Sequence, residues 1–216
     1  DGTGQECNFR RKAEIKEPFS GVEYGKDYRF DEISSQVYIK MHGLTIRTEI
    51  LQKHREAIRL DEHCYYVDAE YILYPVPYIE TITFIPDFVY QYRLGREGQS
   101  VSPEKLIKNR ENYDRVLRSL LCFYEKCRNK EIVCSRAKLS YIEMGIARIA
   151  AGRIKILLSL PGSLENKNQL RQFDGCLREK YPGIYRANKN RAVWALRKSR
   201  YALYGLASWM VRRKFA

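Results

Sequence analysis

No stretch of this 216-residue chain approaches the ~20 consecutive apolar residues that a membrane-spanning helix needs. The opening, DGTGQECNFRRKAEIKEP, is polar and charged and has no apolar segment of the kind a secretory signal carries. It starts at Asp1-Gly2 rather than Met, which points to a piece of a longer chain. The six cysteines, at 7, 64, 122, 127, 134 and 176, form no Cys-x-x-Cys and are too sparse for a disulfide framework. Cys122, Cys127 and Cys134 lie close together, but no histidine stands near them to complete a zinc site. These residues therefore read as reduced thiols, several of them in the core. Neither an internal repeat nor a low-complexity tract is present, which excludes solenoid and array architectures.

Acidic residues are scarce in the second half. Residues 1–102 hold 13 Lys/Arg against 17 Asp/Glu, a net of −4, whereas residues 103–216 hold 26 against 9, a net of +17. Two regions with different electrostatic roles share the chain, and the second faces something anionic, with nucleic acid and an anionic membrane leaflet as candidates. Tyrosine is abundant, at 17 copies against 8 Phe and 2 Trp. Such rings suit contact with sugars or lipid headgroups, and equally suit half-buried positions in sheets and helices.

Residues 1–30 are weakly periodic and read as an arm or loop. The run SSQVYIKMHGLTIRT predicts a strand, a bend at Gly43 and a second short strand. Thr48 is a candidate N-cap for the helix EILQKHREA. YVDAEYILYP has helical spacing and stops at Pro75 and Pro77, and ETITFI and DFVYQYRL read as strands. From Ser102 onward the periodicity predicts helices over 103–128, 131–160, 164–180 and 191–214.

Residues 30–125 resemble the second half of the family 2 glycosyltransferases of the GT-A fold. The resemblance rests on Tyr66-Val67-Asp68-Ala69-Glu70-Tyr71, the strand Thr81-Ile82-Thr83-Phe84-Ile85, then Tyr90-Gln91-Tyr92-Arg93-Leu94-Gly95 and Gln99-Ser100-Val101-Ser102. It implies an α+β fold, a partial GT-A-like mixed sheet with helices over 1–102, followed by an all-helical basic region over 103–216. It implies inverting transfer of a sugar from a nucleotide-sugar donor to a glycan or lipid-linked acceptor, of the kind used in bacterial polysaccharide synthesis. The catalytic base would be Asp68, which matches the Asp of the family's Glu-Asp pair, although Val67 replaces the usual Glu. His42, His63, Glu70, Arg93, Arg96, Gln99 and Ser100 are the expected substrate contacts, Arg being suited to a pair of phosphate oxygens. Glu70 lies two residues beyond Asp68, about 200° around a helix, so the two carboxylates cannot both enter one site. The family also needs a nucleotide-binding half with an Asp-x-Asp that holds Mg or Mn through the donor diphosphate. No Asp-x-Asp occurs here, so the chain is expected to be the acceptor-side portion, inactive alone and without a metal of its own.

On a single 191–214 helix, Ala192, Leu196, Leu203, Leu206, Ala207 and Met210 would share one face, opposite Arg191, Trp194, Lys198, Tyr201, Ser208 and Trp209. That pattern fits a helix lying on a membrane, and equally a core helix with a solvated outer face. The expected location is the cytoplasm, with peripheral contact at the inner face of the plasma membrane and self-association through exposed apolar surface. Two other classes fit the basic half: a nucleic-acid-binding module and a non-catalytic protein-interaction bundle.

Overall fold

The computed structural model describes residues 21–87, 90 and 103–213. Short elements come first: β1 (Asp27–Arg29), α1 (Phe30–Ile33), a 3-10 turn at Met41–Gly43, α2 (Thr48–Lys53), α3 (Asp68–Leu73), a second 3-10 turn at Val76–Tyr78, and β2 (Thr81–Thr83). Seven helices follow: α4 (Pro103–Lys108), α5 (Arg110–Arg128), α6 (Arg136–Ser159), α7 (Leu164–Lys180), α8 (Pro182–Ala187), α9 (Arg191–Lys198) and α10 (Tyr204–Arg213). Among the described residues the only sheet is the antiparallel pair β1–β2, with Asp27 opposite Thr83, Tyr28 opposite Ile82 and Arg29 opposite Thr81. The described chain is thus mostly helical, with a small β component.

The long helices form where apolar residues recur at helical spacing and polar side chains cap the ends. Tyr113, Val116, Leu117, Leu120, Phe123, Tyr124 and Cys127 give α5 one buried stripe. Ser135 Oγ accepts the Lys138 N–H at 3.2 Å to start α6, and Ser163 Oγ accepts the Asn166 N–H at 3.1 Å to start α7. Asn190 Oδ1 accepts from both Ala192 and Val193 at the start of α9.

Two cores meet on α6. Its first half, through Ile142, Ile146, Ala147 and Ala150, packs with Phe30, Val37, Leu73 and Val76 and with the stripe of α5. Its second half, through Ile154, Leu157 and Leu158, packs with Leu170, Val193, Leu196 and Tyr204. Residues on both sides of position 102 therefore share one core. Glu143 is buried in this helix and accepts the Tyr124 hydroxyl at 2.8 Å.

Several expectations need correction. The strands expected around 33–47 are extended chain and a 3-10 turn without sheet partners, so β1, inside the expected 1–30 arm, pairs with β2 instead. Thr48 is the first residue of α2 rather than its cap, and Arg47 stands at the cap position. The 103–128 helix breaks at Asn109, and the 131–160 helix begins at Ser135. The short helix α8 has no counterpart in the sequence reading. Residues 1–20 of the arm and most of the expected 87–94 strand lie outside the described residues.

The largest correction concerns 191–214, which is two helices. Arg200 and Tyr201 take left-handed φ values of 50° and 65°, and the Tyr201 N–H reaches back to Leu196 O at 2.8 Å, ending α9 in a Schellman-type turn. A buried ion pair lies at the break. Asp174 on α7, 1% exposed, accepts from Arg197 Nη2 at 2.7 Å and Nε at 2.9 Å, and from the Tyr201 hydroxyl at 2.5 Å. Arg197 also donates to Tyr185 O at 2.8 Å and stacks 3.6 Å from the Tyr185 ring centre.

Removing one partner of a buried pair leaves the other charge uncompensated, at a cost of about 3–5 kcal/mol. Asp174→Asn is therefore expected to lower the unfolding free energy by about 3 kcal/mol or more in urea titrations. The double change Asp174→Leu with Arg197→Met should cost less than the single one, and an equal or larger loss in the double variant would contradict this account.

Candidate functional site

The site is built on α3, a helix of six residues held from beneath. Leu73 packs directly on Gly145 of α6, where a Cβ would lie 2.6 Å from Leu73 Cδ2, so only a glycine lets α3 approach this closely. The loop entering α3 hangs on α5. Ser119 Oγ donates to Asp61 Oδ2 at 3.0 Å, Arg115 Nη2 lies 3.3 Å from Asp61 Oδ1, and the Asp61 N–H donates to Glu70 Oε2 at 2.9 Å. Within this loop His63 and Tyr66 both take left-handed φ, 52° and 72°. For residues of this bulk such φ values are strained, and the packing around the loop sustains them.

Asp68 is the first residue of α3 and its side chain is exposed. Surrounding protein nevertheless removes enough water to raise its pKa, an effect opposed by its own backbone N–H and that of Ala69. A carboxylate that is reachable and somewhat more basic than usual has the properties of a general base. The Tyr66 ring packs edge-on to Tyr113, with centres 5.1 Å apart. Burial raises the pKa of both tyrosines, and the negative charge of Asp68 adds to the effect on each. The Tyr113 hydroxyl donates to Ile149 O at 3.0 Å across Gly152, where any Cβ would collide with that hydroxyl.

The other sequence-predicted residues divide clearly. The turn carrying His42 packs against α3, and its imidazole stacks on the exposed Tyr90 ring at 5.5 Å and 27°. That places His42 on a turn in contact with α3. His63 is exposed in the strained loop. Glu70 is corrected as a substrate contact: it is fully buried, facing Asp61 and Tyr74 on the side of α3 opposite the exposed Asp68 carboxyl. It supports the helix and cannot meet a ligand from solvent. Arg93, Arg96, Gln99 and Ser100 lie outside the described residues.

Sequence reasoning missed Tyr113, Asp61 and Ser119. Tyr113 was legible only as one position of the α5 stripe, and nothing local marks Asp61 or Ser119, whose pairing spans 58 positions. His54, stacked at 3.7 Å and 10° on Tyr78, was also missed.

Among the described residues no group of three or more His, Cys, Asp or Glu side chains could hold a metal ion. The divalent cation implied by the resemblance would be held by a donor-binding half, and no step below is routed through one. Among the described residues no helix is long and apolar enough to cross a membrane. No protein-family model, curated protein or solved structure matches the chain.

Burial, reinforced by the negative field of Asp61, pushes Glu70 up to about 7, against the Asp61 N–H bond that favours its charged form. Because the folded value exceeds the ordinary 4.5, the folded state binds the extra proton between those limits. Stability should therefore fall as pH rises from about 5 to about 8, by on the order of 3 kcal/mol from this group. Glu70→Gln keeps the shape without the charge, so urea unfolding of this variant should show a much flatter pH dependence. An unchanged slope in the variant would remove Glu70 as its source.

Proposed function

We propose that this chain is the acceptor-side portion of an inverting glycosyltransferase, with Asp68 as the base that activates the acceptor hydroxyl. The observation that carries the reading is the exposed yet partly desolvated Asp68 carboxyl at the start of a helix clamped on α6, beside the Tyr66 and Tyr113 rings. Asp68 takes the proton of the acceptor hydroxyl as its oxygen forms a bond to the anomeric carbon. The bond from that carbon to the donor's diphosphate oxygen breaks on the opposite face, which inverts the centre. The proton ends on Asp68, whose raised pKa strengthens it as a base. The half-buried Tyr66 ring supplies apolar surface against which a sugar can rest, and the buried Tyr113 ring packs edge-on behind it. The acceptor is a glycan or lipid-linked glycan, and the nucleotide-sugar and its Mg or Mn belong to a donor half that this chain does not contain. The turn bearing His42 contacts α3, and the role of Glu70 is to position α3.

The direct test is sugar transfer to lipid-linked glycans by the parent protein carrying the donor half. Asp68→Asn should keep donor binding and lose turnover by a factor of ~10² or more. Wild-type turnover in the variant would reduce Asp68 to a carboxylate at a helix start.

A further inference from the structure

The C-terminal hairpin is apolar on the wrong side. On α10 the polar Ser208 is fully buried, its hydroxyl donating to Leu158 O at 2.9 Å, together with Tyr204. The large apolar residues Leu206, Trp209 and Met210 face solvent, at 55%, 50% and 50% exposure, with Leu203 just before the helix at 44%. Leu206, Trp209, Met210 and Arg213 stand at i, i+3, i+4 and i+7, which is one continuous outward face. One side of α10 is committed to the core, and its outward apolar side is available to something outside it.

The surroundings identify the chemistry of that partner. After Glu179 the chain contains no Asp or Glu, so nothing acidic lies in the last 37 residues. Lys198 lies over the Trp194 ring at 4.8 Å and Arg213 over the Trp209 ring at 5.3 Å, while Arg200 is exposed in the turn between the helices. Trp194 is itself 59% exposed. Indole rings and aliphatic side chains ringed by unopposed cations match the boundary between the anionic headgroups and the acyl chains of a bilayer. A nucleic acid would use the charge and leave the aliphatic face uncovered. A second copy would bring the same cations face to face.

We infer that the outward face of α10, with Trp194 of α9, docks this protein on an anionic lipid bilayer, lying in the interface without crossing it. The inference stands independently of the sugar-transfer reading.

The chain has two tryptophans, Trp194 and Trp209, both exposed on the C-terminal helices, so intrinsic tryptophan emission reports on these helices. The chain should be titrated with vesicles of phosphatidylcholine containing phosphatidylglycerol, and with phosphatidylcholine alone. The expected result is a blue shift and co-flotation with the anionic vesicles, weakened by salt. Leu206→Glu and, separately, Met210→Glu should each cut partitioning by roughly tenfold or more, with an unchanged melting temperature because both positions are exposed. The inference is overturned if anionic vesicles produce no shift, or if both variants partition like the wild type. It is also overturned if the chain sediments as a dimer that Leu206→Glu dissolves while no vesicle binding occurs, since the face would then belong to a second copy.

Discussion

Because α6 is buried along nearly its whole length, both cores of the protein close on the same 24 residues. Ile142, Ile146 and Ala150 receive the N-terminal segment and α5, and Ile154, Leu157 and Leu158 receive the C-terminal helices. Burial of this much aliphatic surface is worth about 1.5–3 kcal/mol per large side chain, before the entropy of ordering the chain is subtracted. No other contact in the described structure has this reach. The position of α3 depends on it through Leu73 at Gly145, and that of Tyr113 through Gly152. The site at Asp68 is therefore anchored on a long helix, although its own segment is short and irregular.

The helices of the second half were legible because their signals are local. The α7 range of 164–180 was read from apolar periodicity and the Pro182-Gly183 stop. The α3 helix and its stop before Pro75 were read the same way, as was the opposite direction of Asp68 and Glu70. What failed was whatever depended on partners far away in sequence. The β-branched and aromatic run near 37–47 looked like two strands, yet no neighbouring strand pairs with it, and its apolar residues Val37 and Ile39 fill the helical core directly. Propensity for strand is in large part a preference for packed surroundings, and a helical core supplied them here.

The C-terminal region shows the same limit with a larger consequence. A wheel drawn over 191–214 placed Ser208 and Trp209 on one side and Leu206 on the other. The left-handed turn at Arg200 and Tyr201 ends that helix and resets the phase of α10, so Ser208 goes inward and Leu206 and Trp209 go outward together. The amphipathic composition was readable, and the face presented to solvent depends on the turn between α9 and α10. At the site, likewise, Asp68 could be singled out in the sequence. The crowding that raises its pKa comes from the fold, which also stands Tyr66 against Tyr113 of α5, 47 positions along the chain.

The central claim is that Asp68 removes a proton from an acceptor hydroxyl. The most direct test is the pH dependence of kcat/KM for sugar transfer in the parent enzyme. The account predicts an acid limb of unit slope whose midpoint lies above the ordinary aspartate value of 3.8, because the ionised carboxylate is required and its pKa is raised. A rate that stays level through that range while the enzyme remains folded would contradict it.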